Sequence, residues 1–204
     1  MILINIIKTV MKKNTLLNIA IIICKFFRLI YIVIFLMLTG LFVHSQITPS
    51  SYMNLDLNNK INEYDFSMNS YTTDKIIVNG VTPEDSEVFT FNKLKYSSLF
   101  FNFIKVTLVL FCSFLCLKEF QNIIESVKEI KTFQKRNVSS FRRIGKYLLV
   151  IFILMSYSSF TFQQGAISSF HISFTLLILP LLAYIMAEIF KEGKKLSDEN
   201  KLTI

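Results

Sequence analysis

The sequence predicts an all-α membrane protein with four transmembrane helices, cytoplasmic N and C termini, and a small external β-containing loop between helices 1 and 2. Three observations carry this. Hydrophobic residues make up 52% of the 204, with 21 Phe against five Gly and three Pro, a high apolar content for a soluble domain. The excess is gathered into four blocks, each about as long as a bilayer crossing requires. Between the second and third blocks lies Lys118 to Lys146, a short stretch rich in Lys and Arg. A basic loop between two spans stays on the cytoplasmic side, and its placement orients every other segment.

The formal net charge of +8 does not point to nucleic acid. Lys and Arg sit beside apolar blocks rather than among surface aromatics, so the anionic headgroups of a lipid bilayer are the expected counter-charge and no direct nucleic-acid binding is predicted. Cys24, Cys112 and Cys116 all fall in or beside apolar segments, which gives no disulfide framework and reads as small apolar packing.

Residues 1–25 are apolar but broken by Lys8, Lys12, Lys13 and Asn14, a pattern that suits an amphipathic cytoplasmic approach along the membrane surface. Met11-Lys12-Lys13-Asn14 also reads as a natural start of translation. Residues 26–43 form the first predicted span. A cleaved signal peptide is the rival for this segment, and both send the following loop outward. Residues 44–96 are the long extracytoplasmic loop, poor in Lys and Arg. Within it, β-branched Lys75–Val78, closed by Asn79-Gly80, and Glu87–Asn92, with Phe89 and Phe91 in alternation, read as strands.

Residues 97–117 are the second span, which reaches full length only by including Lys105. Residues 118–146 are the basic cytoplasmic loop, and 147–164 the third span. The C-terminal half of that third span is rich in hydroxyls. Tyr157, Ser158 and Ser159 reach a depth comparable with Lys105, which makes these four the candidate intramembrane polar residues. They form either a closed hydrogen-bonded layer or a small wet cavity, and Ser and Thr are common packing residues between membrane helices. Residues 165–170 are a short external turn, 171–190 the fourth span with Pro180 near its centre, and 191–204 a cytoplasmic tail.

Two stretches carry a family resemblance. The ending Ala187-Glu188-Ile189-Phe190-Lys191-Glu192-Gly193-Lys194-Lys195-Leu196, followed by Asp198-Glu199-Asn200-Lys201-Leu202-Thr203-Ile204, resembles the C-terminus of a bacterial membrane-protein family known as domain of unknown function 2975. The segment Phe133-Gln134-Lys135-Arg136-Asn137-Val138, running on to Phe141-Arg142-Arg143-Ile144-Gly145, is similar to that family's second signature. Together with the four-helix layout, the resemblance extends from the first helix onward. It implies a multi-pass protein of the bacterial cytoplasmic (inner) membrane, with a cytoplasmic helix-turn-helix regulator as its partner.

Read physically, Asn137 or Ser139 is an N-cap candidate for the helix entering the third span. Arg142 and Arg143 arrive where Glu188 and Glu192 come down from the fourth. Loop and tail make the largest cytoplasmic surface, so Phe133, Asn137, Arg142, Arg143, Glu188, Glu192, Gly193 and Leu202 are the candidate partner-docking residues. Catalysis has little basis: His44 and His171 stand at span ends, and no phosphate loop, nucleophile elbow or His-Glu-x-x-His pattern occurs. The sequence therefore predicts no enzyme, no cofactor and no metal site. A regulatory or interaction protein docking a soluble partner is the leading expectation. The alternative is a small transporter or channel around Lys105, which four helices would support only as a homo-oligomer.

Overall fold

Long apolar runs without helix breakers dictate the main elements. The computed structural model describes residues 2–52, 66–73, 91–129, 132–163 and 165–202. Helix α1 spans Ile2–Ile47, strand β1 Phe66–Thr73, helix α2 Tyr96–Lys128, helix α3 Lys135–Ser156, strand β2 Tyr157–Phe162, strand β3 Gly165–Ile172 and helix α4 Phe174–Leu202, with short 3-10 turns at Pro49–Tyr52 and Phe91–Lys93. The chain is mostly helical with one small sheet.

Three of these helices are long and apolar enough to cross a membrane: Thr15–Ile47 within α1, Tyr96–Lys128, and Phe174–Asn200 within α4. Their apolar side chains face outward, as with Leu36 at 63% and Met37 at 67% exposure on α1. Such a surface is unfavourable in water and ordinary against lipid tails. Helix α1 runs unbroken through residue 25, from Ile2 to Ile47. Pro180 lies inside α4 and is fully buried.

The third expected span, 147–164, is not one continuous helix. Helix α3 stops at Ser156, and its apolar part, Tyr147–Ser156, is about 15 Å long at ~1.5 Å per residue, half of a hydrocarbon core. Beyond it, residues 157–162 are strand β2 and the expected turn at 165–170 belongs to strand β3. The physical reason is local. Ser156 Oγ donates to the Phe152 carbonyl one turn back, the side-chain competition that weakens helices, and Ser159-Phe160-Thr161-Phe162 then alternates hydroxyl and aromatic residues with a period of two. The chain is thus mostly helical, and its small sheet takes in residues of the expected third span as well as of the long loop.

The sheet is antiparallel in the order β1-β3-β2. Its register runs from Phe66 opposite Ile172 to Thr73 opposite Gly165, and from Tyr157 opposite Phe170 to Phe162 opposite Gly165. The long loop thus contributes a strand at Phe66–Thr73, a stretch the sequence analysis did not single out. Residues 75–78 and 87–90 lie outside the described residues, and Phe91–Lys93 is 3-10 rather than extended.

The chain divides into two compact units. One comprises residues 1–33, 110–151 and 175–204, and its core packs Ile123, Ile144 and Ala183 with Cys116, Val127, Phe141 and Leu148 around them. A Cβ built on Gly145 would lie 2.9 Å from Tyr184 Cε2, so glycine is what lets α3 and α4 approach here. The other unit comprises residues 34–109 and 152–174. It centres on Phe162 and Ile167 with Leu94 and Phe160, and Phe42 of α1 stacks on Phe103 of α2 with ring centroids 4.2 Å apart.

Candidate functional site

Two polar constellations stand out, one in each unit. In the unit holding the sheet, β2 is an edge strand whose odd-numbered residues present their backbone groups away from β3. An unpaired edge is costly wherever water is excluded. The start of α2 and the residues before it cover that edge. The Lys95 amide donates to the Thr161 carbonyl at 2.9 Å, and the Gln163 amide to the Lys93 carbonyl at 2.8 Å. The Thr161 amide donates to Ser98 Oγ at 3.0 Å, and Asn102 Nδ2 to the Ser159 carbonyl at 2.9 Å. Lys105 Nζ donates to the carbonyl of Tyr157, where helix gives way to strand.

Ser98, Asn102 and Lys105 are spaced four and three apart and so share one face of α2. Together they form a polar seam between a helix face and a strand edge, in which Lys105 meets the backbone of Tyr157. Ser159 and Ser168 hydroxyls meet at 3.2 Å across the β2–β3 pair, Ser158 is paired with Ser169 in the register, and Tyr157 is half exposed. Thr39 stays outside this layer, its hydroxyl donating to Phe35 of its own helix.

The second constellation joins the turn between α2 and α3 to α4. Asn137 is 1% exposed; its Nδ2 donates to Ser126 Oγ at 2.9 Å and to the Thr132 carbonyl at 2.7 Å, while its amide donates to the Gln134 carbonyl at 3.0 Å. One side chain thus stitches the end of α2 to the start of α3. Next to it, buried Glu119 accepts from Ser140 Oγ at 2.7 Å and from Arg143 Nη1 at 2.8 Å. A buried carboxylate is tolerated when both its charge and its lone pairs are answered, and both are answered here.

Phe133 packs against Phe190 of α4, with centroids 5.6 Å apart, and Phe141 packs on the same ring at 4.8 Å. A Cβ on Gly193 would collide with the Phe133 ring, so the glycine of the tail signature makes room for the aromatic of the loop signature. On the exposed side, Arg142 Nη2 reaches Glu188 Oε1 at 2.7 Å, and Lys191 reaches Glu188 Oε2 at 2.7 Å.

The structure thus brings Phe133 to Gly193, Arg142 to Glu188, and Asn137 and Arg143 into the turn's own hydrogen bonds. Glu192 is exposed on α4 one turn beyond Glu188, and Leu202 is the last residue of α4, its side chain outside those described. Sequence reasoning missed Glu119, Ser140, Ser126, Ser98 and Asn102. Glu119 and Asn102 had a signal, a charged or amide side chain at a position that helical spacing turns toward neighbouring helices.

Residues 79–204 match the model of a family described as "Protein of unknown function (DUF2975)". The match covers β2, β3 and the three helices from α2 onward and begins after α1, whereas the sequence resemblance extended to the first helix. No curated protein and no solved structure matches the chain.

Proposed function

The chain belongs to the DUF2975 family, and from that premise we propose that it is a membrane-embedded regulatory or interaction protein that docks a soluble partner on the α2–α3 turn and the adjoining face of α4. The observation that carries this reading is the preorganised turn. Asn137, Glu119 and Gly193 hold in one geometry a half-exposed aromatic, Phe133 at 46%, beside the exposed cations Lys135, Arg136, Arg142, Arg143 and Lys146. An aromatic anchor with a charged rim is the usual composition of a binding hot spot, and a rigid one binds with less ordering cost.

The basic rim sets the partner's chemistry as a protein with an acidic face. The same basic turn supports a cytoplasmic placement of the docking face. A helix-turn-helix regulator is the partner the family resemblance suggests. The rival, a transporter or channel around Lys105, has less support, since the ammonium is engaged by the Tyr157 carbonyl and its neighbours on α2 serve the strand edge.

In-cell photocrosslinking from position 133, with position 153 on the outward face of α3 as control, tests this. Capture at position 133 alone of a defined soluble protein with an acidic face, a DNA-binding regulator above all, is the expected result. Capture of only lipid and copies of the same chain from both positions would sink the docking reading and move weight to the pore.

A further inference from the structure

Helix α1 presents two stripes, each running in steps of three and four residues. One stripe, through positions 24, 28, 31, 35, 38, 42 and 45, meets the rest of the chain. Cys24 and Ser45 are buried on it, Arg28 lies over the Phe114 ring at 4.7 Å and donates to Gln121 Oε1 at 3.2 Å, and Phe42 stacks on Phe103. The other stripe is offset by two residues, about 200° around the helix at 3.6 residues per turn. Ile19, Ile22, Phe26, Leu29, Val33 and Leu36 lie on it, all apolar and each between 47% and 64% exposed. The same steps continue through Gly40 to Ile47, both exposed.

Two observations distinguish this stripe from an ordinary lipid-facing surface. The first is length. The apolar part of α1, Thr15–Ile47, has 33 residues, about 50 Å at ~1.5 Å per residue, against a hydrocarbon core of ~30 Å. Even a steep tilt of ~40° leaves about 38 Å, so wherever the helix sits, part of the apolar stripe lies beyond the hydrocarbon. The second is Gly40. Glycine inside a helix is unfavourable by about 1 kcal/mol relative to alanine, and Gly145 and Gly193 make room for Tyr184 and Phe133. Among the described residues, a Cβ on Gly40 would meet nothing within 4 Å. Its gap is of use only to a neighbour from outside the chain.

We propose that this stripe is the seam of a parallel homodimer, with α1 of one copy packed along α1 of a second copy and closest to it at Gly40. Steps of three and four are the a and d positions of a heptad, with Ile19, Phe26, Val33 and Gly40 at a and Ile22, Leu29 and Leu36 at d. β-Branched Ile19 and Val33 at a with Leu29 and Leu36 at d is the combination that favours two strands. A small residue on the seam lets two membrane helices approach closely. The charges agree with a second copy as the occupant. The seam itself carries none, and Lys25, which flanks it at position g, faces position e of the next heptad, Ile30 of the second copy, so like charges do not meet. The twofold axis of a parallel pair runs along the helices, so both copies keep one orientation in the membrane. Nothing on the α2–α3 turn takes part, and this inference is independent of the docking face.

The test is a cysteine scan of the full chain in native membranes, read as oxidative crosslinking to a product of twice the chain mass. The unsubstituted chain, with its own Cys24, Cys112 and Cys116, is the blank. Leu29→Cys, Val33→Cys, Leu36→Cys and Gly40→Cys should each give about fivefold more dimer than Tyr31→Cys, Ile34→Cys or Leu38→Cys. Adding Gly40→Leu to Val33→Cys should lower its dimer yield about tenfold, while Ile34→Leu leaves it unchanged. Crosslinking that is equal at all positions, or nowhere above the blank, would overturn the proposal. So would a product of another mass, which would assign the stripe to a helix of a different protein. Should Gly40→Leu fail to fold, the periodicity of the scan decides by itself.

Discussion

The seam along β2 and the turn between α2 and α3 are both made of polar side chains beside apolar helices, yet they use them for different ends. At the seam, donors from Asn102, Lys105 and the Lys95 amide go to backbone carbonyls of an edge strand that has no other partner on that side. At the turn, polar groups mostly answer other side chains: Ser140 and Arg143 meet Glu119, Asn137 meets Ser126, and Arg142 meets Glu188. The seam is explained once the strand edge is satisfied. The turn is not, because beside its internal bonds Lys135, Arg136, Lys146 and half of the Phe133 ring stay exposed.

If that contrast is right, the largest effects come from breaking the turn. Asn137→Leu removes the donor to the Thr132 carbonyl and to Ser126 Oγ, and should cost about 3 kcal/mol of stability in detergent unfolding, with loss of crosslinking from position 133. An unchanged unfolding midpoint would mean the turn is not held by this residue. Glu119→Gln keeps the shape and removes the charge opposite Arg143, and about 1–2 kcal/mol is expected. Gly193→Ala should cost a similar ~1–2 kcal/mol by displacing Phe133 from Phe190, and it should lower partner capture while leaving the sheet-containing unit intact.

The seam should respond less, and in a different observable. Asn102→Leu removes the donor to the Ser159 carbonyl and should cost about 1 kcal/mol, the usual scale of a hydrogen bond between membrane elements. Lys105→Met keeps the unbranched stem and removes the ammonium, with a loss of about 1 kcal/mol or less expected. Neither should alter capture from position 133. Solute or ion flux through the reconstituted chain that disappears in Lys105→Met, with stability unchanged, would reverse the contrast and make the seam the functional site.

The three long helices were legible because hydropathy sums over a window, and α1, α2 and α4 are apolar on nearly every face. The same summation hid the sheet. Tyr157 to Phe162 follows ten apolar or aromatic-rich helical residues without a break, and a hydropathy window averages the two, although Phe160 and Phe162 alternating with Ser159 and Thr161 is strand periodicity. Strand β1 was beyond reach for another reason: its partner β3 lies more than ninety residues further along, and nothing local in Phe66–Thr73 announces that pairing. At the candidate site, both signature stretches were visible as motifs, but the contact of Phe133 with Gly193 is a fact of three dimensions. Glu119 was passed over as one charge among many in a basic loop, whereas helix packing makes it the buried centre of the turn.

The finest distinction concerns the Arg142–Glu188 pair, which joins α3 to α4 with both side chains about half exposed. Exposed pairs are worth little, because solvent screens them and both side chains lose freedom. Arg142→Glu or Glu188→Arg should therefore shift unfolding only slightly, and the double swap should restore even that. Partner capture should not be restored. The swap rebuilds the bond but moves the cation from α3 to α4, so a partner that reads the rim of the turn by its charge will bind the double variant no better than Arg142→Glu alone. Full recovery of capture in the double variant would show instead that the pair acts only as a brace between the helices, and that the docking anchor is Phe133 with the remaining cations around it.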